Sequence, residues 1–355
     1  MTTLLSTPTP ARKLSRGTMW SVLALSVLLS FGFFSLLVLG GASTDFNIVG
    51  AVLLAAIIYV ALSFVMSRIV EGRRKATDRL ATGLVTSAFV VALLPLISLV
   101  YTAVSNGLNR FDGDFFNSSM RNVVGQGGGG LHAIIGTLEI TAAATLISVP
   151  IGIMTAVYLV EYGTGRLSRA ITVLVDVMTG IPSIVAGLFA FALFALFFGP
   201  GIRFGIGGAV ALSVLMIPVV VRSTEEMLKI VPNELREASL ALGVPKWATV
   251  VKVVLPTAIG GIITGVMIAI SRIIGETAPL LIICGMSTSM NYNLFSDRMA
   301  TLPVFVYTQY SNQGTDTQAY LDRAWTGALV LILIVMVLNI LARILSKVLA
   351  PKGTR

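Results

Sequence analysis

Eight long apolar runs punctuate this chain, at 19–40, 47–67, 81–104, 132–160, 171–198, 206–222, 257–284 and 325–346. A membrane-spanning helix needs about 20 predominantly apolar residues, with a range of about 17–25. The runs lack the alternating polar pattern of a barrel strand, so helices are the spanning element they predict. The third and fourth runs are separated by a polar segment containing GQGGGG (125–130), and the last two by a longer one, 285–324. The Thr/Pro-rich head, residues 1–18, opens MTTLLSTPTPAR and is expected to be disordered. The first run has 22 residues, too long for the apolar core of a signal peptide, and is expected to be an uncleaved membrane helix.

Between the sixth and seventh runs, residues 223–256 read STEEMLKIVPNELREASLALGVPKWATVVKVVLP, too polar to span and too periodic for disorder. Pro232 suits a first helical turn, and Glu234 and Glu237 follow where a helix dipole favours acids. Leu235, Ala238 and Leu242 recur at helical spacing, and Gly243 is a natural stop. Pro245 opens a second short helix whose apolar face carries Trp247, Val250, Val251 and Val254, and Pro256 is expected to close it. Two short amphipathic helices joined by a tight turn fit either a hairpin lying on the bilayer or a plug for a groove on a partner.

Composition agrees with the span pattern. Of 355 residues, 55% are hydrophobic and 12% charged, about half the charged fraction of a soluble domain. With the N-terminus in the cytoplasm, 19 Lys and Arg fall on the cytoplasmic side and 5 on the other, as the positive-inside bias requires. These loops account for the net charge of +9, so nucleic acid is not needed to explain it. One cysteine, Cys284, excludes an intrachain disulfide and a thiolate metal cluster, and one histidine, His132, excludes a two-histidine metal site. No Gly-Lys dipeptide and no GxSxG occurs. The chain is expected to perform no bond chemistry, to be no enzyme, and to hold no metal or cofactor.

Two charges interrupt the seventh run: Arg272 and Glu276, in IAISRIIGETAPLLI (268–282). On one helix they are four residues apart, so their side chains can meet. One reading is a self-neutralising pair that lets the helix insert; the other is a polar pathway, since intramembrane ionisable residues are costly and mark such routes. Pro279 cannot donate to the carbonyl of Gly275, which predicts a kink at 275–279. Arg222 closes the sixth run and either snorkels or faces the same route. Glu139 and Asp176 lie near the ends of their runs and read as interfacial or capping residues. Pro182 and Pro218 are candidate bends, and Ser183 a candidate hydroxyl donor to an anion. His132 reads as interfacial, GQGGGG as a linker or a turn needing positive φ, and Met286, Met290 and Met299 as loop packing.

The loop carries a resemblance. Glu237-Ala238-Ser239, three residues, Gly243, nine residues and Val253-Val254-Leu255-Pro256 resemble the EAA loop of binding-protein-dependent ABC importer permeases, departing mildly at Ser239 and Val253. GTLEITAAATLISVPIGIMTAVYLVEYG (136–163), GIPSIVAGLFAF (180–191), IPVVVRSTEEMLKIVPNELREASLALGVPKW (217–247), SRIIGETAPLL (271–281) and LNILARI (338–344) resemble the phosphate-specific permeases of the PstA family. The likeness runs from about residue 81 to the C-terminus.

The resemblance implies an all-α integral membrane protein, a six-span type I ABC importer permease core preceded by two extra N-terminal transmembrane helices (19–80). Its first core helix and outer loop are expected at 81–131, the permease domain at 132–346 with the EAA loop at 223–256, and a cytoplasmic tail at 347–355. It implies ATPase coupling through Glu237, Ala238, Gly243, Pro245, Leu255 and Pro256, and a substrate pathway with Arg272, Glu276, Arg222 and Ser183. The implied partners are a sibling permease (PstC), two copies of an ATPase (PstB) that binds ATP and Mg, a phosphate-binding protein (PstS) and the lipid bilayer. The expected setting is a bacterial inner membrane, with both termini cytoplasmic. A permease for another oxyanion, such as molybdate or sulfate, and a non-transporting scaffold or sensor for phosphate signalling are the alternatives.

Overall fold

The structure, a computed structural model, describes residues 14–41 and 45–349, all helix, turn or irregular chain without strands. Most of the expected head and part of the expected tail lie outside these residues. The chain divides into two compact units, the first ending at Thr102 and the second starting at Ala103.

The first unit begins with α1 (Arg16–Leu39), capped by Ser15, whose Oγ accepts from the Thr18 amide at 3.2 Å. The head expected at 1–18 is thus already helical at Arg16. Helix α2 (Ile48–Val70) is capped by Asn47, and α3 (Arg73–Gly107) follows after a two-residue turn. α3 begins eight residues before the third apolar run, because Arg73-Arg74-Lys75 extend the helix beyond the apolar segment. α1 and α2 meet through small residues: Ser26, Ser30, Ala51 and Ala55 are buried, and Ser30 Oγ donates to the Ala51 carbonyl at 2.5 Å. Without a hydrophobic driving force in lipid, such close backbone approach holds helices together.

The α2–α3 turn is locked by Glu71. Its carboxylate accepts from the Leu14 amide, the Ser67 hydroxyl and both Nε and Nη2 of Arg79, all at 2.6–2.9 Å. The Arg79 hydrogen bond, chiefly, holds the carboxyl at about 2, below its ordinary 4.5, although burial pushes the other way. The stabilisation is therefore complete above pH 4.5 and is lost as pH falls from there towards 2. Glu71→Gln is expected to cost about 1–2 kcal/mol of local stability. Amide hydrogen exchange at Leu14 reads this, and unchanged protection in the variant would refute the clamp.

The second unit is built around two crossing helices, α5 (Leu131–Val157) and α8 (Gly205–Ile230). Before them lies a short outer helix, α4 (Gly113–Asn117). Glycines set the crossings: a Cβ on Gly152 would fall 2.6 Å from Val220, and one on Gly208 would fall 2.2 Å from Cys284. Ile140, Ala144, Leu212, Met216 and Val220 fill the resulting core.

The fifth apolar run is not one crossing. It forms α6 (Gly165–Thr179) and α7 (Ser183–Phe198), bent by 109°. The cause is Gly180-Ile181-Pro182: Pro182 has no amide to donate and sits in extended backbone (φ −59°, ψ 138°), which ends α6 and starts α7. Among the described residues, seven helices are long and apolar enough to cross a membrane, and this bent pair is the eighth candidate.

Further differences follow along the chain. α8 continues to Ile230, so the opening of the expected loop, residues 223–230, is helix. The loop proper holds α9 (Asn233–Ala241) and α10 (Lys246–Thr249). α10 runs through a widened turn at Val250–Val254 into α11 (Leu255–Ile273). Pro256 therefore does not close a helix. The widened turn bonds Leu255 N to the Val250 carbonyl, five residues back, and the proline sits in the first turn of α11, where its missing amide costs little. α11 stops at Ile273, and α12 (Ala278–Ile283) starts after a break. α13 (Leu302–Ser311) and α14 (Thr317–Leu349) complete the chain.

On the side opposite the EAA loop, the glycine run is a turn and not a linker. Gly125, Gly127 and Gly128 take φ of 78°, 88° and 67°. Their carbonyls are held by arginines: Arg323 Nη1 donates to Gly125 and Gly127 at 2.6 and 2.9 Å, and Arg110 Nη2 to Gly128 at 2.9 Å. Arg323 is fully buried, its Nε donating to Gln309 at 2.9 Å and its guanidinium 4.5 Å from the Tyr320 ring centroid. His132 is buried rather than interfacial, edge-on to Phe305 at 5.6 Å, because the glycine turn folds back over the start of α5. Met299 is buried loop packing.

Candidate functional site

Three groups of residues carry charge into, or force out of, the second unit. The first is the helix break. α11 ends with Ile274 N bonded to Ile270 O at 3.1 Å, and Glu276 N turns back to Ile273 O at 3.1 Å. α12 then starts with Leu281 N on Thr277 O at 2.9 Å, and Pro279 stands in its first turn. The expected kink at 275–279 is thus a full interruption, and Pro279 starts the new helix instead of bending the old one. Non-helical backbone at membrane depth is tolerated where protein or a water-filled cavity surrounds it. α12 seats on α7 through Gly187, where a Cβ would come within 2.5 Å of Pro279 Cα.

This break separates the two charges. Arg272 lies in the last turn of α11, while Glu276 lies past its end. No ion pair within 4.0 Å joins them among the described residues, so the paired geometry expected of a continuous helix is corrected. The four-residue rule needs both residues on one helix, and the helix ends between them. Arg272 is exposed on the subunit surface and Glu276 half-buried. Next to Arg272, Ser271 Oγ donates to Asn339 Oδ1 of α14 at 3.2 Å.

The second group lies on α8. Arg222 is not at a helix end but two turns before it, half-buried. Its Nη2 donates to Asp176 of α6, and its Nη1 to Glu225 at 2.7 Å. Lys229 Nζ completes the chain on Glu225 at 2.7 Å. Arg222 is therefore an inter-helix ion partner and not a snorkelling residue, and Asp176 pairs across to α8 instead of capping α6. Glu225–Lys229 is a four-residue helical pair that a charge pattern could have flagged; the 46-residue separation of Asp176 from Arg222 left no local signal. Glu139, on α5, has one carboxylate oxygen buried without a hydrogen-bond partner among the described residues. Ser183 is half-buried at the α6–α7 bend, and no hydrogen bond joins it to Arg222 or Arg272.

The third group is the loop. Gly243 takes φ 79° and ends α9, its amide on Leu240 O at 2.9 Å. Pro245 caps α10, as expected of it. Ser239 Oγ meets Thr249 Oγ1 at 2.9 Å and ties the two helices, a bond that alanine at 239 could not make. Glu237 and Ala238 are exposed, as are Leu235, Leu240, Leu242 and Trp247, leaving an apolar face without a partner in this chain. The inner side is anchored: Val254 is buried, with Leu255 against the same cluster of Ala156, Val175, Val221, Leu228 and Ile262. Pro256 is exposed.

One anchor was not visible in the sequence. Arg236 of α9 reaches Glu161, in the turn that ends α5, at 2.9 Å, and also donates to the carbonyls of Leu228 (2.9 Å) and Val231 (2.6 Å). Both side chains are largely buried. Arg236 thereby bolts α9 to the end of α5 and to the last turn of α8.

Comparison with known proteins places this arrangement. Residues 148–355 match the family described as binding-protein-dependent transport system inner membrane component. The phosphate transport system permease protein PstA 1 of Mycobacterium tuberculosis (strain ATCC 25618 / H37Rv) is 45% identical over 273 residues, 76% of this chain and 87% of its own length. PstA of Mycobacterium leprae is 44% identical over 281 residues (78% and 90%), and PstA of Haemophilus influenzae 37% over 275 (76% and 94%). Among solved structures, a bacterial alginate ABC transporter in complex with a pentasaccharide-bound periplasmic protein matches at TM-score 0.54 and 12% identity, over 78% of this chain and 97% of that one. A chain of the MetNI methionine ABC transporter matches at TM-score 0.50 and 20% identity, over 61% and 94%; both likenesses concern the fold. By family match and by identity over most of its relatives' length, the chain belongs to the binding-protein-dependent transport system inner membrane components and, among them, to the PstA phosphate transport permeases.

Proposed function

We infer that this chain is the membrane permease subunit of an ATP-driven importer of inorganic phosphate. It forms half of a translocation pathway with a sibling permease of the PstC type. The importer carries two PstB-type ATPases, one of which docks on the α9–α10 face of this chain, a PstS-type binding protein delivers phosphate on the opposite side, and both termini lie in the cytoplasm of a bacterial cell. ATP and Mg belong to the ATPases, and this chain holds no cofactor or metal.

The observation that carries the pathway reading is Arg272: exposed on the subunit, without an ion partner among the described residues, beside a helix break in a run whose one other charge is Glu276. A lone guanidinium facing hydrocarbon is costly, so it needs water, a ligand or a partner subunit. Its planar donors match phosphate oxygens. Glu276, half-buried and unpaired, repels an anion that lingers, which favours release, and Ser183 is proposed to offer a hydroxyl on the same route. Closing of the ATPases moves α9; through Arg236 this movement reaches α5 and α8 together, and through α8 the Arg222–Asp176 pair. That pair is a switch element between α6 and α8 rather than a free binding site.

Arginine alone does not separate phosphate from other oxyanions. Uptake of radiolabelled phosphate, sulfate and molybdate into vesicles carrying the complete set of partners is expected to show ATP-dependent accumulation of phosphate only. Accumulation of another oxyanion in its place would overturn the assignment, and accumulation of none would favour a signalling scaffold.

A further inference from the structure

The two helices before the permease core meet α3 across a polar cleft. On α2, Tyr59, Ser63, Ser67 and Glu71 recur every four residues and so share one face. On α3, Lys75, Arg79, Thr82 and Thr86 recur at spacings of three and four and likewise share one face. The faces enclose a cavity of about 500 Å³. The helices pack closely beside it, Gly83 standing where a Cβ would be in ordinary contact with Val60 at 3.4 Å. From Lys75 to Thr86 the helix rises about 16 Å; the apolar run of α3 starts at residue 81, so the mouth lies at head-group level and the inner half reaches into the hydrocarbon core. A polar cleft of this depth, open to a leaflet, is expensive to leave to lipid tails.

Its charges are unequally used. Glu71 and Arg79 neutralise each other, and the Leu14 amide and Ser67 hydroxyl complete the carboxylate. Lys75, half-buried at the mouth, has no ion partner among the described residues. Asp78 also lines the mouth, but Arg68, Arg73 and Arg74 flank it and keep the local balance positive. Deeper in, the hydroxyls of Tyr59, Thr82 and Thr86 are available as neutral donors. One ammonium at the mouth with hydroxyls behind it matches a phosphate group, and the exposed Val85 and Phe89, flanking the polar face of α3 at helical spacing, match acyl chains.

We propose that this cleft is a phosphate-group binding site, filled from the bilayer by the head group of an anionic phospholipid, with Lys75 as its charged contact. The two extra helices thereby hold a lipid rather than serving only as an anchor.

The test uses the full chain with its partners, in bilayers of phosphatidylcholine alone or mixed with phosphatidylglycerol, and in phosphatidylcholine with added inorganic phosphate. Hydrogen-exchange protection of residues 59–86 is the readout. Phosphatidylglycerol is expected to protect the wild type, with apparent affinity about tenfold weaker in Lys75→Gln, as for loss of one charged hydrogen bond, and restored in Lys75→Arg. Unchanged protection of the Leu14 amide in phosphatidylcholine shows that the variant is folded. Protection by inorganic phosphate alone, dependent on Lys75, would keep the site and overturn the lipid as its source. Equal responses of wild type and Lys75→Gln to both, or no response to either, would overturn the proposal.

Discussion

Phosphate uptake by the assembled importer is expected to fall about a hundredfold when Arg272 is replaced by glutamine. Two charge-assisted hydrogen bonds to a desolvated phosphate are together worth about 3 kcal/mol or more, and each 1.4 kcal/mol is about tenfold. Lysine at 272 keeps the charge but loses the planar fork, so Arg272→Lys is expected to fall between. Assembly with the ATPase is expected to stay intact, because Arg272 makes no ion pair among the described residues and lies at the end of α11 away from α10. The same geometry decides between the two readings of the Arg272 and Glu276 charges. In a self-neutralising pair, removing both would restore much of what either single change loses. With no ion pair between them among the described residues, Glu276→Gln is expected not to rescue Arg272→Gln in the double variant. Rescue by the double variant would reinstate the pair, and normal uptake by Arg272→Gln with intact assembly would remove this residue from the path.

Arg236→Ala is expected to disconnect ATP hydrolysis from transport. The substitution leaves the Glu161 carboxylate largely buried without its cation and frees the carbonyls of Leu228 and Val231. Breaking one side of a buried pair costs about 3–5 kcal/mol, enough to detach α9 locally from α5 and α8. The exposed face of Leu235, Leu242 and Trp247 is untouched, so the ATPase still docks. The measurements are ATP hydrolysis stimulated by phosphate-loaded binding protein, phosphate uptake, and hydrogen exchange over residues 228–241. Lost stimulation and uptake, with raised exchange and retained ATPase, is the expected result. Full stimulation would show that force passes through the α10–α11 helix instead.

Much of the protein was already written in local patterns. Among the described residues, seven of the eight apolar runs marked a helix long enough to cross a membrane, and the fifth marked a bent pair, because insertion depends chiefly on composition over about 20 residues. Gly243 and Pro245 marked the turn between α9 and α10, because positive φ and a missing amide act within one or two residues. The EAA spacing and the run around Glu276 carried the family. The breaks were harder. Pro182, Pro256 and Pro279 look alike in sequence, yet one ends a helix, one is absorbed by a widened turn and one starts a new helix. Which outcome a proline has depends on what packs against the chain there, such as Gly187 on Pro279.

The pairing of charges belonged wholly to tertiary structure. Arg236 finds Glu161 over 75 residues, Arg222 finds Asp176 over 46, and Arg323 finds the glycine turn over 196 and 198. Arg272 and Glu276, only four residues apart, do not meet at all. Sequence alone determined that this chain crosses a membrane, which way its charges bias it and which loop has the EAA pattern, since those follow from hydrophobicity, net charge and short-range backbone chemistry. Only the fold decided which buried charges neutralise each other and which one is left facing outward, because at membrane depth a charge is settled by whatever the crossing helices bring within about 3 Å of it.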